Sequence, residues 1–263
     1  MFWFVLMVVV VVAQGKPSFG SFSKAWSRGG DTSKLLKIYS GWRADRDSMR
    51  MVYFNDQTIA VVELGPGKLL LGCEVIEVFE TDQYSKVLGE LQSTAKPVGI
   101  SFLEMITLMD QCKELDEMNG VIKEPPPQNK TTRAIDQARS ILANDPFTIL
   151  KGIVPGTKWC GTGDIARNYF DLGVESSVDA CCRTHDLCPV KVRARTQRYN
   201  LENNSLYTKS HCECDQRLFD CLKKQQFIPV ANLLGNIYFN VARVQCVDDA
   251  KEGRVFRSPA RRF

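Results

Sequence analysis

Eight of the ten cysteines fall between Cys160 and Cys246, a stretch that also holds both histidines, His185 and His211. Nothing else in the chain restricts its fold as strongly, and the redox compartment decides what the cysteines mean. The first fifteen residues contain an uncharged apolar run ending in Ala13-Gln14-Gly15, which reads as a signal peptide cleaved near Gly15. The run is too short for a spanning helix, which needs about 20 residues, and no second long apolar stretch follows. A secreted chain meets an oxidising environment, so the cysteines read as a disulfide framework. Cys212 and Cys214 beside His211 have the look of a zinc site, but secretion argues against it. Eight cysteines allow 105 pairings, and spacing alone does not choose among them.

Charge divides the chain into two halves of opposite sign. Residues 16–150 carry a net −2 and residues 151–263 a net +6. The change falls near Glu124-Pro-Pro-Pro-Gln-Asn, where three prolines stiffen the backbone and bar a helix. The sequence therefore divides into a signal segment (1–15), an N-terminal α+β region (16–123), a linker (124–150) and a cysteine-rich domain (151–263).

The N-terminal region has no histidine and no catalytic cluster. Met49 to Phe54 and Thr58 to Leu64 are apolar, β-branched runs around the turn pair Asn55-Asp56, and a third run extends from Leu69 to Phe79. Ser101 to Met118 spaces Phe102, Met105, Ile106, Met109 and Cys112 as an amphipathic helix. Cys73 and Cys112, the two cysteines of this half, form a candidate pair. A sheet carrying a helix is expected.

The second half begins with a glycine-rich loop, Gly156 to Gly163. A helix is expected from Ser176, with Asp179 placed as in a capping box. A polar loop over Val190–Leu206, a second helix over Lys209–Gln225 and a helical stretch over Val230–Val241 follow. On the first helix Cys181, His185 and Cys188 share a face, and Asp186 lies on the neighbouring row. The second repeats the device with Cys212, Cys214, Asp215 and Cys221. Disulfides between the helices would bring His185, Asp186 and Asp215 together. His211 reads as a solvated helix-start residue. Asn129 and Asn203 head glycosylation sequons in predicted loops. Arg193, Arg195 and Arg198 form a basic run suited to anionic headgroups or to a solvated loop. Ile153, Val154, Phe227 and Ile228 suit either a lipid-contact rim or the core, and Arg254–Arg262 reads as a mobile basic tail.

Trp159-Cys-Gly-Thr-Gly163, Ala180-Cys-Cys-Arg-Thr-His-Asp-Leu-Cys188, Cys212-Glu-Cys-Asp215, Phe219-Asp-Cys221 and Tyr238-Phe-Asn240 with Cys246 together resemble group III, bee-venom-type secreted phospholipase A2. The resemblance covers about 153–246. It implies an α-rich, disulfide-stapled phospholipase A2 domain, helices with a calcium loop, preceded by the smaller α+β N-terminal region. It further implies disulfides 160–182, 181–221, 188–214 and 212–246. Calcium would be held by Asp186 and the carbonyls of Trp159, Gly161 and Gly163. His185 would act as general base, oriented by Asp215 and supported by Tyr238, in hydrolysis of the sn-2 ester of glycerophospholipids. The implied partner is a phospholipid membrane or micelle surface, met peripherally and outside the cell. Secretion and the lack of a binding motif argue against nucleic acid despite the positive charge. A scaffold that had lost catalysis would show a substitution at the histidine, the aspartate or the glycine loop, and none is present. Residues 16–150 are a candidate pro-region, cleaved near Lys151, Arg133 or Arg139.

Overall fold

The computed structural model describes residues 39–78, 81–93, 95–123 and 152–263. The signal segment, the linker and Asn129 lie outside them. Strands β1 (Met49–Asn55), β2 (Thr58–Leu64) and β3 (Leu70–Glu77) form an antiparallel meander, and β4 (Pro97–Gly99) adds in parallel to β1, giving the order β3-β2-β1-β4. β1 and β2 pair in register from Met49↔Leu64 to Asn55↔Thr58, leaving Asp56 and Gln57 at the hairpin tip. Asp56 takes φ 44°, a left-handed conformation that aspartate tolerates.

The apolar run Thr58–Val62 is buried throughout because both faces of the sheet are covered. Ile59 and Val61 join Val52, Ile76 and the α1 (Thr81–Gln92) residues Val87 and Leu91 on one side. Ala60, Val62 and Val75 face α2 (Phe102–Met118) on the other, where Met105, Ile106 and Met109 pack. The expected amphipathic helix is present and starts with a capping box, Ser101 with Glu104. A disulfide between Cys73 and Cys112 ties β3 to α2.

The second half is built on α3 (Ser176–Asp186) and α4 (Cys212–Lys224). All four disulfides implied by the resemblance are present: 160–182, 181–221, 188–214 and 212–246. They staple the glycine loop to α3, α3 and the segment just beyond it to α4, and the start of α4 to β9 (Cys246–Ala250). Acidic Glu213 and Asp215 in the first turn of α4 and Lys223 and Lys224 in its last match the helix dipole. The α2 core residues share one cluster with Trp159, Cys181, Leu218 and Phe239, so the two halves are packed against each other.

Several expectations are corrected. The stretch Val190–Leu206 carries short strands β5 (Lys191–Val192), β6 (Thr196–Arg198) and β7 (Leu201–Asn203), and β8 (Lys209–Ser210) pairs with β5. Asn203 is 0% exposed. Its amide donates to the carbonyls of Val192, Arg193 and Tyr207, so the side chain is held by a strand where the sequon was placed in a loop. Val230–Val241 divides into α5 (Pro229–Gly235) and a π-helical segment, Asn236–Ala242. The C-terminal tail is ordered: β10 (Gly253–Arg257) pairs with β9, and Phe263 meets Phe219 edge to face and stacks on Phe239. Gly235 makes room for that ring, since a Cβ there would lie 2.4 Å from it. Of the apolar residues read as rim or core, Val154 and Ile228 are buried, Ile153 is half-buried and Phe227 is exposed. Arg193 pairs with Glu77 and Arg198 with Asp56, which leaves Arg195 as the exposed member of the basic run.

Candidate active site

His185 sits near the end of α3, where the helix faces α4 across the Cys188–Cys214 bond. Asp215 follows the bonded Cys214 directly, and His185 Nε2 lies 2.7 Å from Asp215 Oδ1. Tyr238, from the π-helical segment, donates to the same oxygen at 3.1 Å and lies 3.5 Å from His185 Nε2. The extra residue per turn of a π segment changes which way its side chains point. The two rings meet edge to face at 5.5 Å.

An ionised carboxylate only accepts, so Nε2 carries the imidazole hydrogen and donates to Asp215. In the neutral imidazole Nδ1 is then the acceptor, 3.9 Å from Asp186 Oδ1. The His185 and Asp215 side chains are 10% and 8% exposed, and Asp186 is 32% exposed. Burial disfavours the imidazolium, but hydrogen bonding and charge from Asp186 and Asp215 outweigh it and carry the His185 pKa up to about 9. Burial pushes the Asp215 carboxyl up, and the hydrogen bonds from His185 and Tyr238 work against that.

The glycine loop is held by a residue whose role its sequence position did not reveal. Asp179 was expected to complete a capping box opening at Ser176, but Glu175 occupies the cap position, and the helix has no side-chain cap. Instead the buried Asp179 carboxylate accepts the N–H groups of Trp159 at 2.8 Å, Lys158 at 2.9 Å and Gly173 at 2.8 Å. It therefore anchors the loop, together with Cys160–Cys182. Burial raises its pKa, and the three donors oppose that. Lys158 pairs with Asp171, whose carboxyl, despite burial, is held down to about 2 by Lys158 and Arg167.

Within the loop, the Cys160 carbonyl accepts the Val154 N–H at 2.8 Å. Those of Trp159, Gly161 and Gly163 accept no backbone hydrogen bond among the described residues. Gly161 admits no side chain, because a Cβ would lie 2.1 Å from the Gly152 carbonyl, and Gly163 has φ 94°. Three unengaged carbonyls on a loop stapled one helical turn before Asp186 fit a hard cation, which takes main-chain and carboxylate oxygens. Among the described residues no cluster of three or more His, Cys, Asp or Glu side chains could hold a metal. A cation here would rest mostly on main-chain oxygen.

His211 lies apart from this centre. It caps α4, its Nδ1 accepting from Glu213 N–H at 3.1 Å, as its place at the helix start suggested. It is buried against Phe102, with ring centroids 4.2 Å apart, so the expectation of a solvated side chain is corrected.

A buried His–Asp pair beside a carboxylate, with a glycine loop stapled to the same disulfide-linked helices, is an arrangement suited to activating water for hydrolysis. A family model described as phospholipase A2 matches residues 153–250. A phospholipase A2 of Bombus pensylvanicus is 42% identical over 94 residues, 36% of this chain and 69% of that protein. That of Apis mellifera is 38% identical over 94 residues, 36% of this chain and 56% of that protein. The human group 3 secretory phospholipase A2 is 41% identical over 93 residues, 35% of this chain and 18% of that much longer relative. The chain belongs to the phospholipase A2 family, in its group III, bee-venom-type branch.

Proposed function

We propose that this chain is a secreted, calcium-dependent phospholipase A2 that hydrolyses the sn-2 ester of glycerophospholipids at a membrane or micelle surface. The observation that carries the reading is the His185 pair: Nε2 is committed to Asp215 at 2.7 Å, while Nδ1 is available beside Asp186. His185 Nδ1 takes a proton from water as the water oxygen bonds to the ester carbonyl carbon. Asp215 holds the tautomer and stabilises the imidazolium, and Tyr238 fixes the Asp215 oxygen that does so. Collapse of the tetrahedral intermediate breaks the bond to the glycerol oxygen, which takes the proton back from His185. The products are a lysophospholipid and a fatty acid, with no covalent enzyme intermediate.

Asp186 and the carbonyls of Trp159, Gly161 and Gly163 would hold the calcium. Such an ion supplies Lewis-acid polarisation of the ester carbonyl and charge for the oxyanion. With one carboxylate the affinity would be modest, suited to extracellular calcium. Support for secretion comes from the apolar leader, the five disulfides and the secretory relatives. No described helix is long and apolar enough to cross a membrane. Mass spectrometry of secreted material would show whether the chain is cut between the halves.

The test uses the full chain on mixed phospholipid vesicles with calcium, with chelator, and as His185→Gln. Fatty acid release is expected only in the first arm. Equal release in all three would refute the proposal.

A further inference from the structure

The tip of the β1–β2 hairpin belongs to the N-terminal half, yet it is buried in the catalytic half immediately beyond Asp186. Thr58 Oγ1 donates to the Leu187 carbonyl at 2.7 Å, and Gln57 N–H donates to the Pro189 carbonyl at 3.1 Å. Gln57 Nε2 donates to the Lys191 carbonyl at 2.9 Å. Three alternate carbonyls of the segment leaving the catalytic helix thus take their hydrogen bonds from two buried residues of the sheet. Asp56, beside them, accepts Arg198 at 2.8 Å and the Tyr199 hydroxyl at 2.6 Å.

A second contact reaches Asp186 itself. Lys191 donates its ammonium to the Asp186 main-chain carbonyl, at the last residue of α3. A cation at a helix C-terminus satisfies carbonyls that the helix leaves open. The lysine side chain is 4% exposed, and Glu77 at the end of β3 pairs with it at 2.8 Å. Arg193 meets the same Glu77 oxygen at 2.7 Å. A buried ammonium without a carboxylate is strongly disfavoured, so Glu77 keeps Lys191 in place. None of these sheet residues lies within 153–250, the stretch matched by the family model.

We propose that the N-terminal sheet is a positioning element for the calcium aspartate, acting through Thr58 and Gln57 on the helix exit and through Glu77–Lys191 on the Asp186 carbonyl. These are positioning residues, since none touches the reacting atoms. The proposal rests on the calcium reading given above. Its physical content is that the rotamer and backbone of a metal ligand are set by groups behind it. Loss of such supporting groups commonly costs about 10–100-fold in metal affinity.

The experiment measures calcium affinity of the full chain by titration calorimetry, with calcium-free Tm recorded alongside. Glu77→Gln is expected to weaken calcium binding about tenfold or more. Thr58→Val changes no charge and almost no volume, and is expected to weaken it by several-fold, which separates positioning from electrostatics. Glu74→Gln, on the same strand but facing Ser40, is the control and should leave the affinity at the wild-type value. Wild-type affinity in both Glu77→Gln and Thr58→Val would overturn the inference, as would weakening by Glu77→Gln alone, which would assign the effect to charge. If Glu77→Gln fails to fold, Thr58→Val against the Glu74→Gln control decides. Absence of calcium binding in the wild-type chain would remove the calcium reading itself, and this inference with it.

Discussion

His185 shows how one contact assigns two different nitrogens. Because Asp215 takes Nε2, Nδ1 is the nitrogen left to serve as the proposed base, and the hydroxyl of Tyr238 shares the same carboxylate oxygen. Tyr238→Phe should keep the fold and lower kcat roughly tenfold, an effect typical of a supporting hydrogen bond, with KM little changed. Steady-state kinetics at saturating calcium measure it, and an unchanged kcat would remove Tyr238 from the network. Asn203 provides a contrasting case, in which a recognised motif has a structural role. Its two amide hydrogens are shared among three carbonyls and the side chain is buried, which leaves no path for a glycan. Peptide mapping after enzymatic deglycosylation should find Asn203 unmodified. Asn203→Ala should destabilise the chain by about 1–3 kcal/mol, the cost of leaving buried carbonyls unmet. Denaturant titration reads that number.

Among the elements, β3 couples a burial choice to pH. Glu74 is buried under Ser40, whose N–H and hydroxyl both donate to it. Burial raises its pKa from an ordinary 4.5 to about 7, against those hydrogen bonds and the Arg50 charge. The folded state therefore holds this proton more tightly than the unfolded chain. Its stabilising contribution is fully present below about 4.5 and is lost as pH rises through about 7. Comparing wild type with Glu74→Gln isolates that slope. Wild-type stability should fall relative to the variant between pH 5 and 8, by on the order of 1–3 kcal/mol. A constant difference across that range would contradict the assignment.

Across the whole molecule, the interface between the halves has a charged centre. Arg183, 0% exposed, extends from the catalytic helix to Asp116 of α2 at 2.6 Å, over the ring of Tyr169. No disulfide joins the two halves among the described residues, so apart from the chain itself only non-covalent contacts hold them together. Asp116→Ala strands a buried guanidinium and should cost about 3–5 kcal/mol in equilibrium unfolding. A loss below 1 kcal/mol would show that the pair is relaxed by solvent. The same pair implies that cutting residues 124–150 leaves the halves associated. Native size-exclusion after limited proteolysis should show them eluting together, and separate elution would contradict it.

Much of this protein was legible from residue order alone. Strands β1 to β3 and helix α2 of the N-terminal half followed from apolar periodicity, because each buries a face whose spacing its geometry dictates, whereas α1 and β4 were not read. The cysteine and His-Asp motifs, read through the family resemblance, anticipated the disulfide pairing and the meeting of His185, Asp215 and Tyr238. Other roles depended on which surfaces meet. Asp179 looked like a cap and became the anchor of the glycine loop; Asn203 looked like a glycan site and became buried. The tail from Arg254 looked mobile and is held by a strand pair and by Phe263. Asp116, Glu77 and Thr58 carry no motif, since their partners lie 67, 114 and 129 residues away in the chain. Local spacing governs periodicity and covalent pinning, and so belongs to the sequence. The pairing of distant buried polar groups depends on how two halves dock, and only the tertiary structure decided it.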